Sequence, residues 1–258
     1  MTPLPGMQRL LAVMRALRNP AGGCPWDLTQ DSRSLARYTL EEACELVAAI
    51  ESGSDAHVRD ELGDLLFQVV FHAQLASERG VYDFDAVAAG IAGKLERRHP
   101  HVFAPDGRDV SHWEQIKAGE RAARGAGGVL DEVPVTLPAL TRAVKFGKRA
   151  ATVGFDWPDA AGPRAKLLEE LGEVDAAQRG ADAASLEDEV GDLLLAAASL
   201  ARHLRVDPET ALRRANGRFE ARFRAMEALA AVRGVALKEL DAAALDTLWE
   251  DVKKGVQS

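Results

Sequence analysis

Eight carboxylates form four pairs in this chain, and the two residues of each pair are three positions apart. The pairs are Glu42 with Glu45, Glu61 with Asp64, Glu170 with Glu173, and Glu189 with Asp192. Residues at positions i and i+3 share one face of a helix, so each pair would present its oxygens together. The pairs adjoin apolar residues, where like charges repel and lose solvation. A divalent cation would offset both costs, and an all-oxygen ligand set favours Mg²⁺, or Mn²⁺, over zinc or copper.

The four pairs belong to an internal repeat. A shift of 128 residues lays positions 40–75 over positions 168–203 without a gap, and 14 of the 36 positions are identical. Composition alone would give about three identities, so the match indicates duplication. All four acidic positions coincide: the segment "RDELGDLLFQV" recurs as "EDEVGDLLLAA". An acidic quartet that appears twice with the same spacing favours two metal sites over the alternative of solvated acidic helix faces.

Shorter motifs extend the repeat over most of the chain. "GCPWD" corresponds to "GFDWP", "KLERR" to "RFEAR", and "WEQIK" to "WEDVK", in the same order. A glycine- and proline-rich segment without helical periodicity separates the two halves. We therefore predict an N-terminal helical domain at residues 1–124, a linker at 125–138, and a C-terminal helical domain at 139–258.

The elements that must position these residues are helices, and we predict an all-α fold. Strong β formers are sparse, and no segment shows convincing period-two alternation. Each half is predicted as a helix, a tryptophan-bearing loop, two acidic helices joined by a short turn, and then basic and tryptophan-bearing helices. If the acidic helices fold back as a hairpin, the four carboxylates of each half converge. The broad apolar face of such a hairpin needs a cover, which predicts a helical bundle completed by homodimerisation.

Composition excludes several classes of function. The formal net charge of −8 argues against a protein that coats nucleic acid. The longest apolar run is too short to cross a bilayer, so no membrane partner is predicted. The two cysteines have neither disulfide nor metal spacing, which is typical of a protein from a reducing compartment, and we expect a cytoplasmic location. The sequence identifies no regulatory protein partner.

A ferritin-like di-iron site is the other carboxylate site that helical bundles build. That site uses Glu-x-x-His motifs on two of its helices. In each of the four pairs of this chain, the residue three positions after the first acid is a second acid and not a histidine. His57, Gln68 and His72 do not restore the Glu-x-x-His motif. Di-iron chemistry is therefore disfavoured.

At this level of detail the chain resembles a known family. The motif E-E-x-x-E followed by E-x-x-D, present twice, together with "GCPWD", "KLERRHPHVF" and "VGFDW", is similar to the MazG family of nucleoside triphosphate pyrophosphohydrolases in its tandem-domain form. The resemblance covers nearly the whole chain. It implies an all-α NTP pyrophosphatase fold, a homodimer, and Mg²⁺-dependent hydrolysis of NTPs and dNTPs at the α-phosphorus to monophosphate and pyrophosphate. It also implies a house-cleaning role in the nucleotide pool.

The resemblance and the chemistry of phosphates together suggest roles for individual residues. The second copy, with Glu170, Glu173, Glu189 and Asp192, is predicted to be the main catalyst, and the neighbouring Glu169 could accept the proton of the attacking water. Cationic and aromatic side chains suit a triphosphate and a base. The predicted substrate-binding residues are Lys166, Arg218, Phe219, Arg222, Trp249 and Lys253, with Lys94, Arg98, Trp113 and Lys117 in the first half.

Two other functions remain open at this stage. One is a relative with a single dedicated substrate, such as dUTP or phosphoribosyl-ATP. The other is a catalytically idle helical dimer that senses nucleotides by binding them. The intact acidic quartets favour hydrolysis over the idle dimer.

Overall fold

The computed structural model describes residues 5–103, 119, 127–180 and 183–255. Over these residues every regular element is a helix and there is no strand, which confirms the predicted all-α class. The chain divides into two compact units, residues 1–118 and 119–258. Trp113, Lys117 and the first two residues of the predicted linker lie outside the described residues, and the exact linker bounds stay a prediction.

Unit 1 places an acidic helical hairpin beside an amphipathic first helix. Its helices are α1 (Gly6–Leu17), α2 (Pro25–Thr29), α3 (Ser32–Ser52), α4 (Asp55–Glu78), α5 (Phe84–Arg98) and α6 (Pro100–Phe103). Helices α3 and α4 pack along each other, and α1 and α5 both pack on α4. Trp26 was predicted in a loop, but it lies in the short helix α2, because Pro25 occupies the first helical position, where its fixed φ suits a helix.

Local signals in the sequence set the ends of the hairpin helices. The carboxylate of Asp31 accepts hydrogen bonds from the backbone N–H groups of Arg33 and Ser34, at 2.8 and 2.7 Å, which begins α3. Gly53 ends α3 with φ of +73°, and the hydroxyl of Ser54 accepts from the backbone of the next helix. The break between α3 and α4 is thus two residues long, and so short a connection makes the two helices neighbours that run in opposite directions.

Large apolar side chains fill the core of unit 1. Met14 of α1, Leu35 of α3, and Val70, Phe71 and Leu75 of α4 form one buried cluster. Phe71 and its neighbours are almost completely excluded from solvent. The hairpin and α1 are therefore held together by bulky residues of all three helices.

Unit 2 repeats the order of elements with a different core. Its helices are α7 (Ala139–Ala151), α8 (Ala161–Gly180), α9 (Ala183–His203), α10 (Pro208–Val232) and α11 (Ala242–Gly255), with a 3₁₀ turn at Leu237–Glu239. Helices α8 and α9 pack along each other, α7 packs on α9, and α10 packs on α11. The buried apolar cluster of this unit lies between α10 and α11 and includes Met226 and Leu248. Among the described residues of the hairpin, the buried apolar side chains are Pro163 of α8 and the small Ala196 and Ala198 of α9.

Within the part of the chain that the structure describes, no helix combines the length and the apolar character that a membrane span requires.

The left-handed backbone at Gly53 gives a test of the hairpin turn. A Cβ atom at this position would meet no neighbouring atom, so Gly53→Ala should act only through its φ and lower the free energy of unfolding by about 1 kcal/mol. Gly90→Ala, in the middle of α5 where a Cβ also meets nothing, should instead raise it by about 0.5–1 kcal/mol. Urea unfolding of both variants checks the opposite signs. Equal effects would mean that the turn conformation does not limit the stability of the hairpin.

Candidate functional site

Each hairpin brings three carboxylates to one place. The ligand oxygens of Glu170, Glu173 and Glu189 all lie within 4.8 Å of one another, and those at the matching positions of unit 1 do the same. The unit 1 residues are Glu42, Glu45 and Glu61. The i, i+3 spacing on one helix supplies two of the oxygens, and the partner helix supplies the third. Residues that are 16 or more positions apart in sequence thus meet because the helices fold back on each other.

The fourth acid of each quartet lies close to the other three but outside these triads. In unit 2, Asp192 lines the same cavity as Glu170. In unit 1, burial has the largest effect on the pKa of Glu42, and the charge of Asp64 has the next largest. Both raise this pKa. The charges of Glu45 and Glu61 raise it further. All four predicted ligands of unit 1 therefore act on one another.

The donor set of unit 2 fits a hard divalent cation. Oxygens that share one Mg²⁺ at about 2.1 Å lie within about 4.2 Å of one another, so the observed cluster needs only a small contraction. Glu170 is only 4% exposed, and its Oε2 atom has no hydrogen-bond partner among the described residues. Buried carboxylate oxygens normally have partners. A cation ligated by this oxygen would satisfy it, as the all-carboxylate composition of the cluster also suggests.

Lys166 compensates part of the negative charge of the second cluster. Its Nζ atom lies 2.5 Å from Oε1 of Glu170 and 2.7 Å from Oε1 of Glu169, the predicted proton acceptor. Hydrogen bonds to Glu169 and Glu170 raise the pKa of Lys166, and the same contact lowers the pKa of Glu170. The pKa of Glu173 is raised, chiefly by its hydrogen bond to Glu170. The positive charge that the protein itself places against the second cluster is therefore the ammonium group of Lys166.

The first cluster has a neutral ring at the position of Lys166. The shift of 128 residues that aligns the repeat places Tyr38 there. The Tyr38 ring contacts the edge of Trp26 with ring centroids 5.9 Å apart, and its hydroxyl accepts a hydrogen bond from Arg37 at 2.5 Å. The pKa of Glu42 is raised, first by burial and then by the neighbouring carboxylates, whereas the pKa of Glu170 is lowered by its contact with Lys166. The two clusters share their acids but differ in the charge around them.

A cavity of about 480 Å³ lies beside the second cluster. It joins charged groups to flat apolar surfaces, since Lys166, Glu170 and Asp192 line it together with the rings of Phe146, Phe155 and Trp157. Its volume falls within the range of about 300–1,000 Å³ typical of small-molecule sites. A cation-binding cluster, an ammonium group and aromatic rings in one cavity suit a ligand that carries both phosphates and a planar ring system.

An ion pair between the predicted loop motif "GFDWP" and the end of α9 shapes this cavity. Asp156 accepts two hydrogen bonds from Arg202, at 2.8 and 2.6 Å, and Nε2 of His203 lies 3.2 Å from the same carboxylate. The hydrogen bonds from Arg202 lower the pKa of Asp156. The Trp157 ring lies directly on α8, because a Cβ atom on Gly162 would fall 2.0 Å from its Cδ1 atom. A glycine at 162 thus permits the position of the ring.

The other predicted substrate residues of unit 2 lie elsewhere in that unit. Phe219 and Trp249 contact each other, with ring centroids 5.4 Å apart, in a groove of about 570 Å³ between α10 and α11. This groove shares no lining residue with the cavity beside Glu170. Arg218 is exposed on α10, and Lys253 pairs with Glu250 at 2.6 Å. Within one chain the structure does not bring these residues and Lys166 into one cavity, and the roles of Arg218, Phe219, Arg222, Trp249 and Lys253 stay a prediction.

The remaining predicted residues of the first half lie on α5 or outside the described residues. Lys94 and Arg98 are half-buried one helical turn apart on α5. The sequence reasoning missed Phe146, Phe155 and the Asp156–Arg202 pair. "GFDWP" was noted as a motif, but Arg202 is 46 residues further on and resembles an ordinary basic helix end, so no spacing rule connects them.

Comparison with known proteins adds an independent line of information. A family model described as the MazG nucleotide pyrophosphohydrolase domain matches residues 30–103 and 163–224, and each matched segment contains one acidic hairpin. The chain is 47% identical over 255 residues to the nucleoside triphosphate pyrophosphohydrolase of Escherichia coli K12, covering 96% of this chain and 97% of that protein. It is 43% identical over 249 residues to the Thermotoga maritima protein named nucleoside triphosphate pyrophosphohydrolase/pyrophosphatase MazG, covering 96% of each. The similarity to the nucleoside triphosphate pyrophosphohydrolase of Mycolicibacterium smegmatis is 36% over 159 residues, or 59% of this chain and 49% of that protein.

The Asp156–Arg202 pair gives a pH-dependent test of how the cavity is held. Because the folded-state pKa of Asp156 is lowered, its contribution to stability is complete above the ordinary carboxyl pKa and is lost as the pH falls through the lowered value. Asp156→Asn should therefore reduce the free energy of unfolding at pH 7 by about 1 kcal/mol. The difference from wild type should shrink below about pH 4.

Thermal unfolding of wild type and variant between pH 3 and pH 7 measures this difference, with the exposed substitution Asp175→Asn on α8 as the control. A destabilisation that stays constant over the whole range would mean that the charge of Asp156 does not stabilise the unit.

Proposed function

The chain belongs to the MazG family of nucleotide pyrophosphohydrolases, and from that premise we propose that it hydrolyses nucleoside triphosphates to monophosphate and pyrophosphate. Membership confirms the resemblance predicted from the motifs. The observation that carries the proposal is the cavity of unit 2, where Glu170, Asp192 and Lys166 lie beside three aromatic rings. A triphosphate needs charge neutralisation, and a nucleobase needs a flat apolar surface. The proposed physiological role is the removal of unwanted nucleotides from the pool.

We propose that the cofactor is Mg²⁺, or Mn²⁺, held by Glu170, Glu173, Glu189 and Asp192. A bound divalent cation would neutralise phosphate charge and make water a better nucleophile towards the α-phosphorus. The quartet of unit 1 has the same composition, so it is proposed as a second cation site. The closeness of the oxygens in both triads supports this assignment.

The remaining steps depend on the side chains of unit 2. Lys166 already lies against Glu170 and Glu169, so a triphosphate that enters the cavity can accept the hydrogen bonds of its ammonium group. Glu169 is exposed next to the cluster and is the proposed acceptor of the proton of water. The rings of Phe146, Phe155 and Trp157 would hold the base and exclude water from one side of the substrate.

We further propose that the protein is a homodimer. Large apolar side chains of α8 and α9 are exposed in the single chain, among them Leu168 at 65%, Leu171 at 48% and Leu194 at 54%. Large apolar side chains exposed on both helices of the hairpin favour association with a second copy. The predicted cytoplasmic location stays a prediction.

Removing one proposed ligand from each copy tests both the reaction and the assignment of the active copy. With Mg²⁺ and a panel of NTPs and dNTPs, Glu173→Gln should lower pyrophosphate release about 10³-fold, because the variant would lose a ligand of the proposed cation, and this cation would stabilise the charge of the transition state. Glu45→Gln, the matching change in unit 1, should cause a loss at least tenfold smaller. If only Glu45→Gln abolishes release, the copies are assigned in reverse. If wild type releases no more pyrophosphate than an EDTA control, the proposed function is wrong.

Lys166 gives a second test, because its charge should act on metal and substrate with opposite signs. The ammonium group competes with a cation for Glu170, and it also attracts phosphate. Lys166→Met should therefore tighten Mg²⁺ binding, measured by calorimetry without nucleotide, and raise KM for NTP about tenfold. If both affinities change in the same direction, Lys166 does not act by charge on both ligands.

A further inference from the structure

The two copies differ in the wall that faces the cavity, and we propose that Ser199 and Ala196 make unit 2 the copy that accepts a nucleobase. In the aligned repeat, the corresponding residues of unit 1 are Phe71 and Gln68. This inference rests on the proposed function, and it names the residues that determine where the base of the substrate can bind.

In unit 2, one face of α9 leads from the acidic cluster into the cavity. Asp192, Ala196 and Ser199 are spaced by four and three residues, which places them in a line on the same side of the helix. All three line the cavity. Ala196 is buried, with 6% of its surface exposed, so its small side chain leaves space that a longer one would fill. The cavity therefore lies beside the carboxylates where two neighbouring positions on one face of α9, 196 and 199, carry small side chains.

In unit 1, the same positions of α4 carry large side chains. Phe71 is completely buried between α1, α3 and α4, and its ring centroid lies 5.6 Å from that of Phe67. The guanidinium of Arg18 lies over the Phe71 ring, 5.6 Å from its centroid. Gln68 is 5% exposed and its Oε1 atom has no hydrogen-bond partner among the described residues. The face that borders open space in unit 2 is thus part of the packed core in unit 1.

Packing density makes this difference decisive. Protein interiors are close-packed, and an aromatic ring cannot share its volume with a ligand without displacing its neighbours. Phe71 packs with Met14, Leu35 and Val70, so the ring cannot move aside without opening the core of unit 1. The acids of the first copy can still hold a cation, but the space for a base next to them is filled by the protein's own side chains.

Ala196 and Ser199 should affect binding of the base of the substrate and not binding of its phosphates. Ser199 and Ala196 line the cavity together with the aromatic rings, whereas Lys166, Glu170 and Asp192 supply charged groups beside the acidic cluster. Enlarging the side chains at 196 and 199 should therefore reduce binding of the base and leave binding of the phosphates unchanged. Inorganic tripolyphosphate carries the phosphate chain without a base, and it separates the two effects.

The experiment introduces the residues of the first copy into the second. Ser199→Phe, Ala196→Gln and the milder Ser199→Leu are compared with wild type in the full-length protein. The readouts are KM and kcat for ATP and dTTP, competitive inhibition of hydrolysis by tripolyphosphate, and Mg²⁺ binding by calorimetry. We expect KM to rise at least about tenfold in Ser199→Phe and less in Ser199→Leu, because one misplaced side chain in a binding site costs roughly this much. The inhibition constant of tripolyphosphate and the Mg²⁺ affinity should stay within about twofold of wild type.

Leu204→Phe is the matched control, since it adds a similar ring one residue beyond the end of α9. Leu204 is 53% exposed and does not line the cavity. This substitution should leave both KM and inhibition by tripolyphosphate unchanged.

The outcomes separate this inference from the proposed function. If wild type hydrolyses NTPs but all three cavity variants keep the wild-type KM, the base does not bind at Ser199 and Ala196, and the inference is wrong while the function stands. If Ser199→Leu loses inhibition by tripolyphosphate together with NTP binding, the residues affect the whole site rather than the base, and the inference is also wrong. If wild type releases no pyrophosphate, the proposed function itself fails.

Discussion

The arrangement of both units depends on crowding four carboxylates at one place on a helical hairpin. Two helices, a break of two residues and an i, i+3 spacing are sufficient to bring the oxygens of three acids within 4.8 Å of one another. Such crowding opposes folding, because each charge repels the others and loses water. In unit 2 the ammonium group of Lys166 compensates part of this charge, and in unit 1 the crowding and burial raise the pKa of Glu42. Everything that we propose about catalysis follows from the need to neutralise these charges.

The two hairpins share their acids, but the face of the second helix that continues beyond these acids differs between the copies. In unit 1 that face carries Val70 and Phe71 and forms the main core with α1. In unit 2 the corresponding residues are Ala198 and Ser199, and the unit obtains its buried apolar cluster from α10 and α11 instead. A hairpin with small residues buries less apolar surface, so it contributes less to stability and leaves a cavity. The hairpin of one copy is thus packed into a core, and the hairpin of the other borders a cavity.

The sequence predicted those features that depend on short-range patterns. The scarcity of β formers, the lack of period-two alternation and the repeated acids are local or internal to the repeat, and they predicted the all-α class and the convergence of Glu170, Glu173 and Glu189. The cavity was missed because it depends on contacts between distant segments, such as Asp156 with Arg202. Trp249 was assigned to the same substrate site as Lys166 from the resemblance and from side-chain chemistry, and the fold of a single chain places the two residues in separate cavities.

The charges of the protein and its proposed substrate require that the cation and the nucleotide bind as partners. The chain carries a net charge of −8, and a triphosphate is also strongly negative, so the two repel unless positive charge lies between them. One lysine cannot neutralise both the quartet of unit 2 and a triphosphate. In unit 1, a hairpin that served packing alone would be more stable with neutral residues in place of Glu42 and its three acidic partners. All four acids are present there although burial and the neighbouring carboxylates raise the pKa of Glu42, and cation binding explains their presence where packing does not.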